Sequence, residues 1–156
     1  GYKQEDKVEV AWEKNKVVLN TKNPNESEIF VNGQKSDDKT LIKKAETFFN
    51  NDSFWLIAPH KVFDNGVERR IVKHNDKDAL LVTYTSGGTT PGDSYLWTLD
   101  ENYIPTSYKM YVPSMKMEGV PATWEDWITT ESGTLLPKMH RFGKNGELSM
   151  GEVKGY

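Results

Sequence analysis

Cysteine is absent from these 156 residues, which excludes disulfides, thiolate metal sites and a cysteine nucleophile. No excess of one charge is present either. The formal net charge of −3 leaves no basic footprint for nucleic acid and no polybasic patch for anionic lipid. Long apolar runs are missing: nothing approaches the roughly 20 residues that cross a bilayer, so no transmembrane segment is expected. Histidine is scarce, and His60, His74 and His140 stand in no metal-ligand spacing, so neither a metal nor another cofactor is expected. A signal-peptide core is lacking and the first residue is Gly rather than Met, which reads as a chain trimmed upstream. A missing leader therefore does not argue for the cytoplasm.

What is plentiful is aromatic: 12% of residues, within an apolar total of 36%. That mixture suits a curved antiparallel sheet with one apolar and one wet face. The length fits one domain, 1–156, large enough to bury a core. The stretch 78–142 organises the chain, as a run of short strands joined by turns.

Strands are expected at 7–12 (KVEVAW), 16–20, 29–31, 69–73, 79–85, 94–99, 106–112, 122–129, 134–142 and 147–153, about nine or ten in all. Asn32-Gly33, Asp64-Asn65-Gly66, Asp100-Glu101-Asn102 and Gly143 to Gly146 supply turns. One helix is expected over 37–51 (DDKTLIKKAETFFNN). Asp37 or Asp38 would cap it, and Leu41, Ile42, Ala45, Phe48 and Phe49 would make one apolar stripe. That stripe is expected to lie on the concave face of the sheet. The apolar run 54–59 (FWLIAP) reads as a buried strand or a short helical turn beneath the helix, ended by Pro59.

Period-two alternation assigns the faces. Tyr95, Trp97 and Leu99 share a side, as do Tyr108, Met110 and Val112. In 122–129, Trp124 and Ile128 fall on one face, Glu125 and Trp127 on the other. Large aromatics on neighbouring strands should thus line one concave surface. The set Trp55, Tyr95, Trp97, Tyr108, Trp124 and Trp127 is either ordinary sheet core or the wall of a pocket for an apolar ligand. In the second case Trp55, Tyr95, Trp97, Tyr108, Met110 and Trp124 are the ligand-binding residues.

Chemistry-bearing motifs are weak. The loop 86–93 (SGGTTPGD) lacks the lysine and helix of a phosphate cradle and reads as a hairpin connection. Ser86 and Ser94 have no nucleophile-elbow setting. Glu125 and Asp126 are adjacent, and alternation turns Asp126 inward beside Trp124. Such a carboxylate could serve catalysis, or a structural ion pair with Arg69, Arg70 or Arg141. His60, after Pro59, either points into a cavity or is solvated or structurally bonded. No catalytic residue is assigned.

The runs FWLIAPHKVFDNGV, DALLVTYTSGGTTPGDSYLWTLDENYIPTSYKMYV and TWEDWITTESGTLLPKMHRF span 54–142. With TPGDSYLWTLDE and the W-E-D-W pair as the most specific parts, this stretch resembles uncharacterised secreted or lipid-anchored proteins of Bacteroidetes. These look like LolA-, LolB- and LppX-type proteins. The resemblance implies an α+β, mainly β fold: an open half-barrel wrapped around one or two helices that can hold lipid or lipoprotein acyl chains. It also implies a helix upstream of Gly1, and a periplasmic, outer-membrane-associated or secreted location.

Three functions follow as expectations. The first is a non-enzymatic envelope protein that binds a lipid, lipoprotein acyl chain or other apolar small molecule. The second is a structural module with a filled core whose partner is another envelope protein. The third, an enzyme, would need Asp126 to meet His60 or His140 inside a cavity.

Overall fold

The computed structural model describes residues 6–87 and 90–155. Residues 1–5, and Gly88 and Thr89 of the 86–93 loop, lie outside that description. Among the described residues the chain is mainly β, with antiparallel sheets and one α-helix. It forms two compact units, residues 1–52 and 53–156, each with an apolar core of its own.

In the first unit β1 (Lys7–Trp12), β2 (Asn15–Asn20), β3 (Glu28–Val31) and β4 (Gln34–Ser36) form a four-stranded antiparallel sheet in that order. Alternation along β2 buries Val17 and Leu19, and the register sets Ile29 opposite Val17. Helix α1 (Thr40–Ile57) lays Ile42 and Ala45, flanked by Leu41 and Phe49, on that apolar strip. Trp12 meets Phe48 edge-on at 5.4 Å. Asp38 starts the helix: its Oδ1 accepts the Thr40 amide at 3.1 Å and its carbonyl accepts that of Leu41.

Two expectations are corrected here. The helical stripe packs on the small sheet, whereas the sequence placed it on the concave face of a single large one. The helix also runs six residues past Asn51, to Ile57, and absorbs most of the 54–59 run. Asn50, Asn51 and Asp52 are poor helix formers and look like a stop. Their cost is tenths of a kcal/mol each, whereas burying Phe54 and Trp55 is worth ~1–3 kcal/mol apiece. Burial wins.

The second unit is an open eight-stranded antiparallel sheet: β5 (Val67–His74), β6 (Lys77–Tyr84), β7 (Ser94–Leu99), β8 (Pro105–Val112), β9 (Met117–Thr123), β10 (Glu125–Thr129), β11 (Leu135–Phe142) and β12 (Gly146–Ser149). β5 to β9 pair in sequence order. β9 and β10 are two halves of one bent strand along β11, because the pairs Ala122/Phe142 and Glu125/Met139 belong to one register. β12 takes the other edge of β11. The loop 86–93 joins β6 to β7, with the Gly92 amide donating to the Tyr84 carbonyl at 2.7 Å.

Bulges curve this sheet. The β8–β9 register shifts by one between Met110/Val120 and Tyr111/Glu118, leaving Gly119 unpaired at φ +70°. A left-handed residue in an antiparallel pair bends and twists its strand, and glycine holds that conformation without strain. A second shift lies between Thr98 and Leu99.

The break in 122–129 overturns another expectation. Asp126 has φ +52° and is exposed rather than inward. A left-handed residue resets the alternation, so Trp127 joins the same core as Trp124 instead of facing away. The strands exceed the expected count because β4, three polar residues long, was not expected and because 122–129 is divided between β9, which starts inside what reads as the loop 113–119, and β10.

Candidate functional site: the aromatic face of the large sheet

Register builds the face. Across the sheet run two rows of neighbouring side chains. One is Val82, Tyr95, Met110 and Val120; the other is Leu80, Trp97, Tyr108, Ala122 and Phe142. Trp124 follows, and the β10–β11 register puts His140 opposite it. Their rings stand edge to face at 5.2 Å. The expected faces of β7 and β8 are therefore those found.

The six residues singled out from the sequence come together. Trp97 is 1% exposed, Tyr108 and Trp124 2%, Met110 7% and Tyr95 8%, while Trp55 is half-buried against them, all in one cluster. The members of this cluster that do not belong to the sheet's own strands or to Trp124 are Phe54, Trp55, Ala58 and Val62. Phe54 is the centre of the cover. Its ring lies 4.8 Å from Tyr95, 6.1 Å from Tyr108 and 6.1 Å from Trp124. Trp55 covers the neighbouring ground, 5.3 Å from His140 and 5.5 Å from Phe142. These contacts close the face with rings. Two depressions of about 30 and 60 Å³ lie elsewhere, the first lined by Glu68, Arg69, Arg70, Leu81 and Thr83, the second beside Leu19 and Phe49.

Polar groups within the cluster divide sharply. Tyr95 Oη donates to the buried Asp93 carboxylate at 3.4 Å, which Thr90 also bonds. Trp127 Nε1 donates to the Pro105 carbonyl at 3.1 Å. By contrast Trp97 Nε1, Tyr108 Oη and Trp124 Nε1 are buried without a hydrogen-bond partner, and His140 Nε2 is buried with nothing at hydrogen-bond distance, its ring feeling only the Trp55 backbone on that side. His140 is fully buried, and its Nδ1 donates to the Thr123 carbonyl at 2.8 Å. Burial among rings holds its imidazolium below the ordinary range, against the opposing pull of the Thr123 and Trp55 backbone and of Glu125. Burial likewise raises the phenols. Tyr84 is pushed up to about 12 by burial and Asp64, and Tyr95 and Tyr108 rise further.

Beside this face, Glu125 makes an ion pair with Arg141. A hydrogen bond from Thr123 and the Arg141 guanidinium hold its carboxyl below the usual range. The carboxylate of the Glu125–Asp126 pair that finds a structural partner is thus Glu125. His60 is exposed and its Nε2 bonds the Leu135 carbonyl at 2.6 Å. Among the described residues Asp126 makes no hydrogen bond or ion pair with His60 or His140, and no cluster of His, Asp and Glu could hold a metal ion. No helix among them is long and apolar enough to cross a membrane.

Sequence reasoning missed Phe54 and His140 as members of the face. The signal for Phe54 was its place next to Trp55 in a continued helix. For His140 it was its alternation with Leu136 and Phe142. Comparisons with protein families, with curated proteins and with solved structures found no match for this chain.

Proposed function

We propose that this chain is a non-enzymatic binding protein that takes an apolar ligand, of the lipid or acyl-chain class, on the aromatic face of its open sheet. The observation that carries the reading is the nature of the cover. A face of five strands and more than six aromatic rings is closed by one short segment, Phe54 to Val62, which contributes two half-buried rings. Such a segment can be displaced at far lower cost than a packed second sheet, because few side chains leave the core with it. Ligand sites are mostly apolar and aromatic with a few polar groups, and this face has that make-up. The LolA-type resemblance of 54–142 supports the same reading, with the cell envelope as its setting.

The test uses opposite signs at plug and wall. Dodecanoic acid, a phospholipid and an acylated peptide are titrated while tryptophan fluorescence is followed. Phe54→Ala removes a competitor for the face and is expected to tighten binding roughly tenfold. Met110→Ala removes wall and is expected to weaken it. Circular dichroism checks that both variants fold, and Phe54→Leu serves if Phe54→Ala does not. Equal affinities for all variants would sink the reading.

A second reading has one observation in its favour: ring-to-ring contacts already fill the face. On it, the unit is a filled structural module that meets another envelope protein by its surface. Absence of binding to every probe, in wild type and Phe54→Ala alike, would favour this module.

A further inference from the structure

Four polar atoms on the aromatic face have no partner, and they are neighbours. Trp124 is the hub: its ring lies 5.7 Å from Trp97, 5.0 Å from Tyr108 and 5.2 Å from His140. Each of the four residues is at most 2% exposed, and in each the unpartnered atom is itself buried. Buried polar groups are almost always hydrogen-bonded, and orphans ask for a cause. Four orphans on rings that meet at Trp124 ask for a common one. Phe54 and Trp55 pack against Tyr108, Trp124 and His140, so displacing them uncovers those three rings, with Trp97 beside them against Trp124.

The inventory of the four atoms is specific. The two indole nitrogens can only donate, and the Tyr108 hydroxyl is free to donate. At His140 the Thr123 carbonyl can only accept, so the proton sits on Nδ1, and Nε2 of the neutral ring faces the Trp55 backbone until the cover leaves and bares its lone pair. Three donors and one acceptor make the complement of a carboxylic acid. Its carbonyl oxygen accepts from indole and phenol. Its O–H donates to His140 Nε2, or passes the proton there and leaves a carboxylate beside an imidazolium. An ester offers the acceptor oxygen but nothing for Nε2.

We propose that Trp97, Tyr108, Trp124 and His140 form a head-group receptor within the aromatic face, selective for apolar chains that end in a free carboxylic acid. This rests on the reading of the face as a site for apolar ligands and names the ligand class. The wall takes the chain, and the four polar atoms take its end. Burial, which keeps His140 neutral before binding, keeps the acceptor available.

The experiment compares dodecanoic acid with methyl dodecanoate on wild-type protein and on Tyr108→Phe. That variant removes an oxygen with no partner and keeps the ring, so it should fold at least as well as wild type. The acid is expected to bind wild type about tenfold tighter than the ester, and Tyr108→Phe to weaken the acid about five- to tenfold. A ¹⁵N spectrum of the His140 ring should change with the acid and stay unchanged with the ester. Equal binding of acid and ester, with no change at His140 Nε2, would overturn the receptor and leave the apolar site standing, its orphan atoms served by buried water. Binding of neither would overturn both.

Discussion

His140 carries most of the pH dependence that can be argued from single residues. Its folded-state pKa lies below the ordinary 6.5, because burial penalises the imidazolium more than the nearby carbonyls and Glu125 reward it. The unfolded chain therefore binds a proton that the folded one refuses. His140 contributes full stability above pH 6.5, and that contribution is lost as pH falls toward the depressed folded pKa. The urea midpoint is expected to decline from pH 7 to 5, with the His140 ring proton still at its neutral NMR position where an ordinary histidine is already charged. A normal His140 titration with a midpoint near 6.5 would contradict the assignment. Asp126 teaches a different lesson at this scale. Nothing in TWEDWIT announces a left-handed residue, because the conformation is uncommon outside glycine even for aspartate, which is enriched in it. A single left-handed residue then brings Trp127 to the side where Trp124 already lies.

Among the elements, α1 is where local and tertiary forces can be separated. Its start is local. Asp38→Ala removes the side-chain bond to the Thr40 amide and is expected to cost about 1 kcal/mol, read as a lower thermal midpoint with unchanged secondary structure. Its end is tertiary, set by the surface that Phe54 and Trp55 find. This divides what the sequence makes legible from what it hides. The strands β1 and β7 are readable to the residue, since period-two alternation and tight turns are short-range signals. The extension of α1 to Ile57 is not, because it depends on residues far downstream, from Tyr84 to Phe142. β4 is hidden for another reason: three polar residues pair with β3 through the backbone, leaving no apolar pattern. Of the aromatic face, Tyr95, Trp97, Tyr108, Met110 and Trp124 were readable from alternation, whereas Trp55 stood out only in the apolar run 54–59 and lies in the helix that covers them. The cover over them, and the orphan atoms among them, depend on packing that periodicity does not report.

On the scale of the whole molecule, two cores divide the apolar burial. Leu19→Ala empties a fully packed position in the smaller one and is expected to cost about 2–5 kcal/mol. Hydrogen exchange should then quicken first in β1, β2 and β3. Surface charge matters less: the ion pairs Lys22–Asp6, Lys35–Glu28 and Lys73–Asp78 are exposed and contribute little each. The connectivity of the larger sheet bears on how it comes into being. From β5 to β9 each strand pairs with the one made just before it, and the β9–β10 strand, β11 and β12 continue the sequence as two further hairpins. Each addition closes a short loop, so assembly can proceed like a zipper, one strand at a time, without a long search through the chain. The cover, Phe54, Trp55, Ala58 and Val62, breaks that rule. These residues precede every strand of the sheet, yet the ground of Phe54 needs Trp124 and that of Trp55 needs His140 and Phe142. The first part of this unit to leave a ribosome is thus the last to find its seat.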